Sequence, residues 1–138
     1  MEAIKLRHAA MLQALFTLEE GLVEIKTPIP SRPKAYKLMR DGVTQRFEYS
    51  IDLFWKFLKT YLETIYNEFA ELPSPSKILR LSSKLKLITD TELILLLNSI
   101  TERNLTSHTY DEKTAQEILQ HIPSYYTAMK TITDRLTI

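Results

Sequence analysis

Four side chains able to do chemistry fall within eight positions of one another: Arg103, Asn104, His108 and Tyr110, in the stretch RNLTSHTY. An imidazole with an ordinary pKa near 6.5 can move a proton at neutral pH. A guanidinium can hold two oxygens of a phosphate at once and stabilise charge that develops in a phosphoryl-like transition state. Asn104 can fix the imidazole tautomer or hold a substrate. If these groups converge, they suffice for metal-free RNA cleavage, in which the ribose 2′-hydroxyl attacks its own phosphate. An arginine and a histidine five apart are, taken alone, usually surface residues. The question is whether the chain brings the groups together.

A single straight helix cannot do so. At about 100° per residue, Arg103 and His108 lie about 140° apart, whereas Asn104 and His108 share a face and Arg103 nearly aligns with Tyr110. Either the helix unwinds near Thr106 to His108 or a second copy of the chain supplies the missing side. Thr106, Ser107, Thr109 and Asp111 compete for backbone hydrogen bonds and form helix poorly, and Asp111 is a good first cap for a following helix, so unwinding is expected there.

The elements that must position these groups read as helices. The chain has 138 residues, enough for a single domain spanning 1–138, and only two glycines, too few for the turns of an all-β or tight-turned α/β fold. Apolar residues at Ile4, Met11, Leu12, Leu15, Phe16, Leu18 and Leu22 predict a helix over 3–24. KTPIPSRPK follows, where Pro28, Pro30 and Pro33 force an extended connector. A long helix is predicted from 34 to 69, with a seam of Val43, Phe47, Ile51, Phe54, Leu58, Leu62, Ile65 and Phe69 at spacings of three and four. Gly42 within it predicts a bend or a late start. After LPSPSK, Ser76 is expected to cap a shorter helix to about Leu87, Asp90 the helix that leads into RNLTSHTY, and Asp111 a last helix that Pro123 kinks or splits. The sum is an all-α, antiparallel bundle of about five helices around a four-helix up-down core.

Charge and composition narrow the function classes. Eighteen basic and seventeen acidic side chains leave a net charge of +1, which neither demands nor excludes a nucleic-acid partner. With no cysteine there is no disulfide or thiolate metal site, and three scattered histidines do not make a zinc site, so neither metal nor cofactor is expected. The N-terminus carries charges through its apolar residues, unlike a signal peptide, and LILLLNSI is too short to span a bilayer. A cytoplasmic protein without a membrane partner is expected.

The motif Arg-x4-His-x-Tyr at 103–110 resembles the active-site motif of the HEPN superfamily, and within it the small HEPN proteins encoded beside a minimal nucleotidyltransferase, the nucleotidyltransferase substrate-binding proteins. QRFEYSIDLFWKFLKTYLE at 45–63 is similar to that family's long-helix signature, and SPSKILR before the motif and YDEKTAQEI after it match in order, so the resemblance spans about 36–136. There are departures. Ser76 and Lys77 stand where the family often has an Arg-Asp pair, and ELILLLNSI stands where it often has a Trp and acidic residues. The resemblance implies a homodimeric bundle with two motifs facing across the interface, which would complete the site. It implies that in toxin–antitoxin versions Arg103 and His108 are catalytic residues of a metal-independent endoribonuclease, with Asn104 in support. It also implies a partner nucleotidyltransferase that neutralises the toxin, in some systems by transferring AMP to the tyrosine matching Tyr110. The same motif would serve a non-catalytic subunit that binds RNA or a nucleotide for its nucleotidyltransferase partner.

Other residues carry weaker signals. Arg46 and Glu48 are candidates for supporting the site or an interface; Glu48 stands four before Asp52, so no internal ion pair explains it. Lys77, Arg80 and Lys84 share one face and are candidates for contacting RNA backbone, although such a stripe is usually the wet side of an amphipathic helix. His8 and His121 have no evident partner, and Tyr125 and Tyr126 read as packing residues.

Overall fold

The computed structural model describes residues 1–26, 31–106, 111–136 and 138. Its five helices are α1 (Glu2–Glu24), α2 (Pro33–Ile65), α3 (Pro75–Lys84), α4 (Asp90–Thr106) and α5 (Glu112–Arg135). Side-chain pairs give their directions. Arg46 donates to the Thr17 carbonyl at 2.6 Å, Ser50 to the Ala14 carbonyl at 3.5 Å, and Gly21 lies against Val43, so α1 and α2 run antiparallel. Asp52 meets Arg103 and Glu48 meets Thr106, which sets α4 antiparallel to α2. Asn98 with Tyr125 and Glu92 with Arg135 set α5 antiparallel to α4. The four long helices thus form an up-down bundle, with the short α3 packed on α2 and α4.

The core follows the seam. Val43, Phe47, Ile51, Phe54, Leu58 and Leu62 of α2 are buried against Met11, Leu15 and Leu18 of α1 and Ile118, Ile122, Met129 and Ile132 of α5. Phe54 is the core member of the Phe54–Trp55 pair, and Trp55 is only partly buried. The seam stops earlier than its spacing suggests: α2 ends at Ile65, and Ile65 and Phe69 are exposed. Gly42 does not delay the helix, which starts at Pro33 and continues through it, and a methyl group there would meet no atom within 4 Å.

Two helix starts differ from the sequence expectation, each for a local reason. Ser74, not Ser76, caps α3, because Pro75 and Ser76 then occupy the first turn, where proline needs no hydrogen bond. Thr89 and Glu92 form a reciprocal capping box, with Glu92 N–H donating to Thr89 Oγ1 at 3.1 Å and Thr89 N–H donating to Glu92 Oε1 at 2.9 Å; this displaces Asp90 into the helix. Pro123 does not split α5, which is held through that turn by Ile122, Tyr125 and Leu119 in the core. Asp111 caps α5 as expected, accepting from Lys113 N–H and Thr114 Oγ1. No described helix is long and apolar enough to cross a membrane.

Candidate functional site

Arg103 is the described centre of the motif. Its guanidinium reaches across to α2, where NH1 donates to Glu48 Oε2 at 3.0 Å, NH2 to Asp52 Oδ2 at 3.2 Å and Nε to Asp52 Oδ1 at 3.4 Å. Thr106, one turn on, also donates to Glu48 Oε2 at 3.0 Å. Two carboxylates at i and i+4 on one helix repel each other unless they share a cation, and Arg103 is that cation. The hydrogen bond that Arg103 donates to Asp52 is the main reason that the Arg103 pKa is raised, with burial opposing it. The two grips differ. Asp52 takes Nε and NH2 together and its side chain is 43% exposed, whereas Glu48 takes NH1 alone and is 26% exposed, so the Asp52 edge is the stronger grip and also the one a ligand oxygen can reach.

That edge opens into a concavity lined by Asp52, Trp55, Lys56, Pro75, Arg103 and Asn104. Asn104 is exposed there, on the helix that carries Arg103. The concavity therefore combines two cations, an amide and one aromatic side chain with a carboxylate that competes for Arg103. His108 and Tyr110 lie outside the described residues.

Two polar clusters hold the helices on either side of the motif, and sequence reasoning missed both. In the first, Glu102, 8% exposed, receives the Tyr125 hydroxyl, His121 Nδ1 at 2.9 Å and Asn98 Nδ2 at 3.5 Å, while Asn98 also donates to the Tyr125 oxygen at 2.8 Å. Burial first, then the Glu102 carboxylate, raises the Tyr125 pKa. The available signal was a pair of polar i, i+4 sets, Asn98 with Glu102 and His121 with Tyr125, on two antiparallel helices. In the second cluster, buried Arg40 makes a two-pronged contact with Glu112 at 2.8 and 3.1 Å, joining the N-terminal part of α2 to the first turn of α5. Its Nε has no acceptor among the described residues.

The remaining candidates fall elsewhere. Arg46 sits on the opposite side of α2 from Glu48 and binds the Thr17 carbonyl, so it joins α1 to α2 and does not approach Arg103. Lys77 turns its ammonium to the carbonyls of Glu71 and Leu72 at 3.5 and 3.2 Å, while Arg80 and Lys84 are exposed on α3. His8 packs beside Phe57, with ring centres 5.6 Å apart. Among the described residues no group of three or more His, Cys, Asp or Glu could hold a metal ion.

This bundle is similar to solved structures along nearly its whole length. A protein of Thermus thermophilus is 34% identical with a TM-score of 0.80, the match covering 93% of this chain and 99% of that one. HI0074 of Haemophilus influenzae, described as having the fold of a substrate binding domain of a nucleotidyltransferase, is 24% identical with a TM-score of 0.79, covering 93% and 97%. YutE of Bacillus subtilis, a cytosolic protein of unknown function, shares the fold at 15% identity with a TM-score of 0.64, covering 92% and 85%. No curated protein matches the chain. The model of one family matches residues 6–138, and the chain belongs to that family, the nucleotidyltransferase substrate binding protein like proteins.

Proposed function

We propose that this protein is the substrate-binding subunit of a two-component nucleotidyltransferase and receives a phosphate-bearing substrate, a nucleotide or RNA, in the concavity at Arg103. The observation that carries this reading is the carboxylate-held guanidinium: Glu48 and Asp52 together orient Arg103, whose Asp52 edge faces a concavity that also offers Lys56, Asn104 and Trp55. A substrate phosphate takes the Asp52 edge of Arg103, Lys56 adds charge, and Trp55 gives a base an apolar surface. The reading places the protein in the cytoplasm as a homodimeric single domain, 1–138, beside a minimal nucleotidyltransferase encoded nearby. By their place in the motif His108 and Tyr110 are candidate members of the same site, with Tyr110 the candidate acceptor of AMP. In that step its hydroxyl oxygen attacks the α-phosphorus of ATP, pyrophosphate leaves, and a base of the nucleotidyltransferase takes the proton.

The test is to mix the purified protein with that nucleotidyltransferase, ATP and magnesium, and to follow complex formation by light scattering and the intact mass of each chain. A stable complex whose nucleotide affinity falls about tenfold or more in Arg103→Ala is expected. If no complex forms, the reading fails. A mass gain of about one AMP, absent in Tyr110→Phe, identifies Tyr110 as the acceptor.

A second reading, a metal-independent endoribonuclease toxin neutralised by the same partner, is favoured by the intact Arg103-x4-His108 spacing. RNA cleaved in the presence of a chelator, and spared by His108→Ala, would select it over the binding subunit.

A further inference from the structure

The segment between α2 and α3 is built unlike the rest of the surface. The seam of α2 would continue through Phe69, yet the helix stops at Ile65 and the chain turns at Asn67, whose φ is 53°. It turns again at Leu72, with φ of 46°. Asparagine adopts such a conformation readily; leucine rarely does, because its Cβ crowds the following carbonyl. The outcome of this unfavourable backbone is exposure. Leu72 is 84% and Phe69 66% exposed, with Tyr66 beside them at 43%. Tyr66 leans on Tyr61, with ring centres 6.2 Å apart, but nothing in the protein's own packing among the described residues rewards Phe69 and Leu72.

The turn is nonetheless held firmly. Glu68 N–H donates to the Leu62 carbonyl at 3.0 Å, Ala70 packs against the core, and the Lys77 ammonium takes the carbonyls of Glu71 and Leu72. A lysine that fixes two successive carbonyls keeps the turn in shape and aims both apolar side chains outward. The exposed apolar residues of α1, such as Phe16, differ in standing on regular helix with no such backbone.

We propose that Phe69 and Leu72 form a preorganised docking hook that inserts into an apolar cleft with a basic rim on the nucleotidyltransferase partner. The inference rests on the proposed function for the partner's identity. The occupant follows from shape and charge. Two projecting apolar side chains require a concave apolar receptor, and the exposed Glu68 and Glu71 that flank them require cations at its edge. The same carboxylates are repelled by an anionic lipid surface. A second copy of this chain suits the hook poorly. Its groove beside α1 sets three carboxylates, Glu19, Glu20 and Glu24, around Phe16 and Val23, with Arg46 already donating to the Thr17 carbonyl; its groove at the start of α5 carries Asp41, Asp111 and Glu112, with Arg40 taken by Glu112; and at the Arg103 concavity one of the two cations is already gripped by Glu48 and Asp52. Position gives the hook a purpose. Leu72 lies three residues before Pro75, which lines the Arg103 concavity, so a partner seated on the hook stands next to the bound substrate. A rigid anchor of this kind loses little freedom on binding, which is how a small contact becomes a strong one.

The experiment compares the affinity of wild type, Phe69→Ser and Leu72→Gly for the nucleotidyltransferase by calorimetry, with thermal unfolding of each chain alone. Each substitution is expected to weaken binding about tenfold or more, the loss typical of a buried anchor. Leu72→Gly is expected to leave the Tm unchanged or raise it, because glycine takes this backbone freely; a binding loss there cannot be ascribed to misfolding. If wild type binds and both variants bind equally well, the hook is overturned while the proposed function stands. If wild type forms no complex, the proposed function fails and the hook with it. If the variants instead abolish self-association of the chain alone in sedimentation, the surface joins copies of this protein and the proposal is overturned.

Discussion

Removing one oxygen atom from the core tests the polar cluster that braces the motif. Tyr125 is fully buried; its hydroxyl donates to Glu102 and accepts from Asn98 Nδ2 at 2.8 Å, while its ring stacks on Phe47 with centres 5.5 Å apart. Tyr125→Phe keeps the stacking and the volume and deletes the hydroxyl. A hydrogen bond to a charged acceptor contributes about 1.5–3 kcal/mol. Asn98 is exposed enough to turn its amide to water, and Glu102 keeps His121, so the net cost is about 2 kcal/mol. The neighbouring Tyr126→Phe is the control. It loses one hydrogen bond, to exposed Glu19 at 2.7 Å, which contributes about 0.5 kcal/mol. In urea unfolding followed by circular dichroism at pH 7, a slope of about 2 kcal/mol per molar gives a midpoint drop of about 1 M for Tyr125→Phe and about 0.25 M for Tyr126→Phe. Equal shifts, or a Tyr125→Phe cost below about 0.5 kcal/mol, would refute the claim that Glu102 needs this hydroxyl. Alkaline pH gives a second check. Burial first, and then the carboxylates of Glu102 and Glu19, raise the pKa of Tyr125 and push that of Tyr126 up to about 12. A raised folded pKa means that the stabilisation is complete below pH 10 and is lost as pH rises through the folded value. Wild type should therefore lose stability above pH 10, Tyr126 contributing up to about pH 12, and Tyr125→Phe should fall less steeply.

Three further outcomes are expected. Gly42→Ala should stabilise the protein by about 0.5–1 kcal/mol in urea unfolding, since the site is helical and a methyl group meets only open space. Glu92, which closes the capping box and takes both prongs of Arg135 at 2.9 and 2.7 Å, has its pKa lowered chiefly by that arginine; its stabilisation is present above the unfolded value of 4.5 and is lost as pH falls through the lower folded value. Acid unfolding curves of wild type and Glu92→Gln should thus differ at pH 6, by about 1 kcal/mol, and converge at low pH. At the candidate site, Asp52→Asn should strengthen binding of a nucleotide phosphate severalfold in calorimetry by removing the competitor for Arg103, whereas Glu48→Gln should weaken it by loosening the guanidinium.

Much of the bundle was legible because helix formation is periodic and local. The α2 seam from Val43 to Leu62 and the Asp111 cap each depend on residues within four positions of one another, and each is where the spacing puts it; the α1 stripe is only partly so, with Ile4, Met11, Leu15 and Leu18 buried but Leu12 and Phe16 exposed. The errors were also local. Ser74 and Ser76, or Thr89 and Asp90, compete as caps, and the choice turns on which leaves Pro75 in the first turn and Glu92 three residues on. Pro123 is compatible with a continuous α5 because the side chains around it are buried, a fact that belongs to packing and not to the proline.

The candidate site was legible only as a set of residue types. The sequence alone determined that Arg103, Asn104, His108 and Tyr110 lie together, that one straight helix cannot face them all the same way, and that Glu48 has no partner on its own helix. It did not reveal that Glu48 and Asp52 grip Arg103 from 55 and 51 positions away, that Arg46 serves α1 instead, or that Glu102, His121 and Tyr125 form one cluster. Those contacts exist only once four helices, α1, α2, α4 and α5, lie side by side. Spacing within a helix is fixed by its hydrogen bonds, whereas an ion pair between helices depends on their relative rotation and depth, which the burial of the whole core decides.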